Sequence, residues 1–200
     1  MNIILVTDIF GLTESILALQ QKIEQTGFES SVVDPFNGVN RQFKSEQSAY
    51  QTFLAECGHD KYCDLLTSKI EAADGPSVVV GFSAGASAAW KSLGMLNNTN
   101  TVHFIGFYPS QIRYHLDVCP QFPVSLIFPA FESHFEIDEV IKSLSTKPKV
   151  YTLKTDFNHG FMNPLSSEYS AKAACYYFDI LYQASLLMNV EDCRRRLGDI

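Results

Sequence analysis

A serine hydroxyl becomes a useful nucleophile only where the backbone lifts it clear of the fold and a base takes its proton. Residues Gly81-Phe82-Ser83-Ala84-Gly85 have the spacing for the first requirement. Val78, Val79 and Val80 precede them, and an alanine-rich, helix-prone stretch follows. Strand, G-x-S-x-G, helix is the context of a nucleophile elbow. So sharp a turn forces strained dihedrals on Ser83. It also brings positions 81 and 85 against the neighbouring backbone, where a side chain has no room. The same turn directs the N–H of Ala84, at a helix start, toward an oxyanion.

The base must come from His59, His103, His115, His134 or His159. Of these, His159 follows the last strand-like run and enters a loop at the edge where Ser83 emerges. An orienting acid belongs just past the strand before that one. Residues 124–128 form this strand in the sequence pattern, and Glu132 comes four residues later. Ser83, Glu132 and His159 are then 49 and 27 residues apart. Asp138, inside a predicted helix, and Asp156, on the histidine's own loop, are less favourably placed.

These three side chains need a scaffold, and the pattern supplies one. Short apolar, β-branched runs at 3–7, 30–34, 77–81, 102–108, 124–128 and 149–153 read as strands buried on both faces. Helical periodicity covers 13–26, 44–55, 62–73, 83–96, 136–144 and 166–188, with Gly27 as a C-cap for the first. Alternating strands and helices predict an α/β domain over residues 1–200: a three-layer α/β/α sandwich with about six mostly parallel strands. Ligands of such sheets bind at the carboxyl ends of the strands, where the serine and histidine loops both lie. The polar segment 35–60 reads as a loop or a lid. The end, 191–200, with Arg194, Arg195 and Arg196, reads as a solvated helix end.

Two hundred residues with 46% hydrophobic and 18% charged side chains describe an ordinary globular domain. A net charge of -7 argues against nucleic acid or an anionic membrane surface as a partner. Met1-Asn2-Ile3-Ile4-Leu5-Val6 reads as the first strand rather than a leader, and no stretch resembles a membrane span. The five cysteines are odd in number and irregular in spacing, which fits a reducing, cytoplasmic setting. Cys57, His59 and Cys63 lack a fourth partner at metal-ligand spacing, so no metal is expected. The chemistry calls for no cofactor.

Taken together, the motifs resemble those of the dienelactone hydrolase family of α/β-hydrolases. Thr7-Asp8-Ile9-Phe10-Gly11-Leu12 is similar to the family's Glu-Ile-Phe-Gly loop. Residues 81–85 match its elbow, and Gly106-Phe107-Tyr108-Pro109 is similar to its Gly-Tyr-Tyr-Gly segment. The stretch from Pro129 through Glu132 to Phe135 resembles its acid loop. His159-Gly160-Phe161-Met162-Asn163-Pro164 matches its histidine loop. The resemblance runs from residue 2 to about residue 185 and implies a minimal α/β-hydrolase fold. It departs from the family in having Ser83 where name-giving members use cysteine, Asp8 where they have glutamate, and Glu132 where the acid is usually aspartate. Asn163 stands in place of the arginine of dienelactone-cleaving members, which argues against a carboxylate-bearing dienelactone as substrate.

The implied activity is hydrolysis of a small-molecule ester or lactone through an acyl-enzyme. Ser83 is the expected nucleophile, His159 the base, Glu132 the acid, and the N–H groups of Ile9 and Ala84 the oxyanion hole. Two roles stand open for Asp8: bonding Ser83 or substrate, or capping the helix that follows. Phe10, Tyr108 and Phe161 are candidate substrate contacts, with core packing the competing role for Tyr108 and Phe161. A thioesterase or acyltransferase would use the same three residues, and a non-catalytic binding protein of this fold is the reading from another class. The expected assembly is a monomer or a weak homodimer.

Overall fold

The computed structural model describes residues 2–96 and 100–200, so Met1 lies outside the described residues. Six strands form one sheet: β1 (Asn2–Val6), β2 (Glu29–Val33), β3 (Ser77–Phe82), β4 (Thr101–Phe107), β5 (Val124–Phe128) and β6 (Val150–Lys154). Their order is β2-β1-β3-β4-β5-β6, and every pairing is parallel. The chain leaves β1 in one direction to build β2, then returns to build β3 on its other side. That reversal opens a crevice between the loops after β1 and β3, the switch point at which such sheets bind ligands.

The helices are α1 (Glu14–Glu24), α2 (Glu46–Glu56), α3 (Gly58–Glu71), α4 (Ala84–Met95), α5 (Ile137–Leu144), α6 (Ala171–Tyr182), α7 (Ala184–Met188) and α8 (Val190–Leu197), with a 3-10 turn at Ser110–Tyr114. Alternation along each strand divides the apolar residues between two cores. Ile4, Val6, Val79 and Phe104 face α2 to α5. Ile3, Leu5, Val78, Val80 and Ile105 face α1, α6, α7 and α8. Helix α4 is buried along most of its length. Its alanines and glycine let it approach the sheet closely: a Cβ on Gly85 would sit 2.3 Å from the Thr7 carbonyl oxygen.

The carboxyl-terminal third differs from the sequence reading. The helix predicted over 166–188 starts at Ala171, where the Ser170 side chain caps Ala173 N–H, and breaks at Gln183. Residues 163–170 instead turn through short bonds such as Asn163 Oδ1 accepting Leu165 N–H, at 2.9 Å. The end of the chain is not simply solvated. Cys193 and Leu197 of α8 are fully buried, and the Arg194 guanidinium donates to the carbonyls of Val124 and Lys149 at 3.1 and 3.0 Å. This arginine binds α8 to the amino-terminal side of the sheet. The segment 35–60 holds all of α2, anchored by buried Ala49 and Phe53, and the start of α3.

His103 on β4 is fully buried and couples this end of the fold to pH. Its Nδ1 lies 2.9 Å from the Leu187 carbonyl, which can only accept, so Nδ1 carries the proton. Nε2 lies 2.9 Å from Ser125 Oγ. Burial, opposed by the Leu187 bond, pulls the imidazole down to about 4 from the usual 6.5. The unfolded chain therefore takes up this proton before the folded one. Stability from neutral His103 is complete above pH 6.5 and is lost as pH falls toward 4, about 3 kcal/mol in all. Denaturation midpoints measured across that window should fall with pH. The Cε1 proton of His103 in the native state should show no titration until near pH 4, and titration near 6.5 would refute the account.

Candidate active site

The elbow is built as its glycines require. Ser83 has φ 49° and ψ −112°, a left-handed conformation that strains any side-chain-bearing residue. Its own N–H extends the β3 to β4 ladder to Phe107 O at 2.9 Å, and its carbonyl accepts Ser87 N–H at 3.0 Å. A Cβ on Gly81 would lie 2.6 Å from Ala86 Cα, so the strand can turn directly into α4 only with glycine there. Tyr108 repeats the device after β4, with φ 41° and its N–H on Ile127 O at 2.7 Å.

The acid and histidine loops are stitched together because β5 and β6 are neighbours whose pairing continues past their ends. Thr155 N–H and Oγ1 both bond Phe128 O, each at 3.0 Å, and Ala130 N–H bonds Phe157 O at 2.7 Å. The structure thus brings Glu132 Oε1 to 2.6 Å from His159 Nδ1, and His159 Nε2 to 2.8 Å from Ser83 Oγ. The Glu132 side chain is 9% exposed and that of His159 34%. An ionised carboxylate only accepts, so Nδ1 carries the proton and Nε2 is free to take one from the serine. The competing acids lie elsewhere: Asp138 pairs with Lys154 at 2.8 Å, and Asp156 is exposed.

Ala84 and Ile9 both line the cleft over Ser83. Among the described residues neither backbone N–H has an acceptor, as befits the first turn of a helix and an open loop. The loop carrying Ile9 is fixed from below by Tyr62, a residue with no signal in the sequence beyond helical periodicity. Its buried hydroxyl lies 2.8 Å from Thr7 O and 3.0 Å from Val33 O.

Of the two roles open for Asp8, the structure removes the helix cap, and Asp8 lines the cleft together with Ile9 and Ser83. Thr13, not Asp8, caps α1 through Ile16 N–H. The Asp8 carboxylate accepts Phe10 N–H at 2.9 Å and Asn163 Nδ2 at 2.6 Å. Burial raises its proton affinity, while the Asn163 and Phe10 donors and nearby His159 oppose that rise. Phe10 and Tyr108 line the cleft, and the Tyr108 ring packs 5.1 Å from the His159 ring. Phe161 does not line it. Its ring is fully buried behind Tyr108, against Phe107, Phe157 and Tyr177, so it supports the wall from inside.

The cleft encloses about 780 Å³. Sequence reasoning missed much of its far wall. Glu46 and Tyr50 come from α2, His59 from α3, and Arg113 and Tyr114 from the 3-10 turn. Helix α2 is latched to the histidine loop by Glu46, whose Oε1 accepts Ser166 Oγ and Ser167 N–H. The predicted lid segment is therefore a fixed wall in part. Among the described residues, no group of three or more His, Cys, Asp or Glu side chains is placed to hold a metal ion, and no helix is long and apolar enough to cross a membrane.

No model of a known protein family matches the chain. Solved structures similar to it share its fold. A Klebsiella pneumoniae protein provisionally assigned as a dienelactone hydrolase superposes with a TM-score of 0.68 at 14% identity, covering 92% of this chain and 84% of that one. The dienelactone hydrolase-like promiscuous phosphotriesterase P91, from metagenomic libraries, gives 0.61 at 16% identity over 93% and 86%. The uncharacterized protein YczH of Bacillus subtilis is 30% identical over 168 residues, 81% of each chain. By that likeness the protein belongs to the family of YczH, built on an α/β-hydrolase fold of the dienelactone hydrolase type.

Proposed function

We propose that this protein is a serine hydrolase that cleaves a small carboxylic ester or lactone through an acyl-enzyme. The observation that carries the reading is the unbroken relay from Glu132 through His159 to Ser83 on the floor of an open cleft. As Ser83 Oγ attacks the carbonyl carbon, its proton passes to His159 Nε2. Glu132 stabilises the imidazolium and holds the tautomer. The Ile9 and Ala84 N–H groups donate to the developing oxyanion, each worth ~3–4 kcal/mol in the transition state. His159 then protonates the leaving alkoxide. Water, deprotonated by the same imidazole, releases the acid and restores Ser83. A cleft of 780 Å³ suits a small organic substrate. All five cysteines are free, which supports a reducing compartment as part of the same reading.

The intact acid works against a binding-only role. Two measurements test the proposal together. A fluorophosphonate probe should label Ser83 stoichiometrically, since it needs the activated serine but no particular acyl group. A panel of p-nitrophenyl esters and small lactones should show turnover for the shorter members. A folded protein that neither reacts with the probe nor turns over any member of the panel is not a serine hydrolase. P91 is described as a phosphotriesterase, so the panel should include a p-nitrophenyl phosphotriester.

A further inference from the structure

Asp8 is a buried carboxylate 155 residues away in sequence from the group it bonds, and it touches no reacting atom of the relay. What it joins is informative. One oxygen accepts the Phe10 N–H, closing a turn around Ile9; the other accepts Asn163 Nδ2. Asn163 is itself buried and fully engaged: its N–H donates to Gly160 O at 2.9 Å, and its Oδ1 accepts Leu165 N–H at 2.9 Å. The pair therefore bridges the loop after β1, which holds the Ile9 N–H, and the loop after β6, which holds His159. Strands β3, β4 and β5 separate β1 from β6 in the sheet.

We propose that Asp8 and Asn163 form a positioning pair that fixes the Ile9 oxyanion donor relative to the His159 base. The inference rests on the hydrolase reading above and adds to it how the two halves of the site are held in register. A turn closed on Phe10 sets the direction of the peptide before it, and hence where the Ile9 N–H points. A peptide held in advance costs no reorganisation as charge develops on the carbonyl oxygen. The charged groups bearing on Asp8 are His159, which favours the carboxylate, and Glu46, which opposes it; Tyr108, beside both, is held neutral by burial and by Asp8.

The pair can be inverted without losing a bond. In Asp8→Asn alone, one of the two donors, Phe10 N–H or Asn163 Nδ2, is left facing an amide nitrogen. In Asn163→Asp alone, two carboxylates face each other. In the double variant Asp8→Asn/Asn163→Asp, the new amide keeps Phe10 through its oxygen and donates to the new carboxylate, whose other oxygen keeps Leu165. Each single variant should lower kcat with KM nearly unchanged, because an oxyanion donor acts only in the transition state. Removing such a donor outright costs ~10²–10³ in kcat; displacing it should cost about 10- to 100-fold. The double variant should recover kcat to within about fivefold of wild type. Asn163→Asp should also narrow its deficit relative to wild type at the same pH as pH falls, since facing carboxylates share a proton. A structural tie without influence on the donor would lower the denaturation midpoint of the singles and leave kcat alone. Singles with wild-type kcat, or a double variant no better than the worse single, overturn the inference while leaving the serine hydrolase reading intact. A wild type that neither labels nor turns over removes both.

Discussion

Ser83→Ala should abolish ester turnover while the protein stays folded. The change removes one oxygen, whose contact is a 2.8 Å bond to a partly exposed imidazole. A bond of that kind contributes about 1 kcal/mol to stability, so the melting temperature should move by only a few degrees. The effect on chemistry is of another order. Without a nucleophile no acyl-enzyme forms, and kcat should fall by about 10⁵- to 10⁶-fold, leaving what the oxyanion donors achieve with water alone. Labelling by a fluorophosphonate should vanish. Undiminished turnover by purified Ser83→Ala would eliminate the acyl-enzyme and point to water activated directly by His159.

Glu132→Gln should be nearly as severe. The carboxylate at 2.6 Å keeps the proton on His159 Nδ1, leaving Nε2 ready to take one from the serine. A glutamine can turn its amide N–H to Nδ1 instead. That selects the opposite tautomer, whose Nε2–H faces Ser83 and cannot accept. In a related triad this error costs about 10⁴ in kcat with the geometry intact. Asp156→Asn and Asp138→Asn are the controls. Asp156 is exposed, and Asp138 is engaged by Lys154 on the surface, so both should keep activity within about threefold. A dead Asp156→Asn beside an active Glu132→Gln would reassign the acid to the histidine's own loop.

How much of this was legible in the sequence follows from the range of each interaction. The six strands could be read because central parallel strands bury both faces and leave continuous runs such as Val78 to Val80. The parallel order also limits where loops can go, so Ser83, Glu132 and His159 could be named as one group. They follow β3, β5 and β6, with β4 lying between the first two in the sheet. The Asp8 to Asn163 bond has no such signature, since no periodicity joins two polar residues so far apart. The wall formed by Glu46, Tyr50 and His59 escaped for a related reason: the helix over 44–55 could be read, but periodicity does not say that its polar residues turn toward the serine. Phe161 stood open between cleft and core because its neighbours in sequence are site residues; its ring takes the core role, on the Tyr177 side of the sheet. The break at Gln183 lies within a run that is apolar on both sides, so composition gave no warning of it.

The elbow also bears on what selection can have optimised in this chain. At φ 49° and ψ −112° a glycine would rest without penalty, whereas serine there costs of order 1–3 kcal/mol. A protein judged on persistence alone would drift to glycine at position 83 within a few mutational steps and become sturdier. Serine at this position exchanges that durability for a placed hydroxyl, and the remaining fold has to make up the difference. Helix α4, buried from Ala84 to Trp90, sets close packing directly beside the residue that carries the strain.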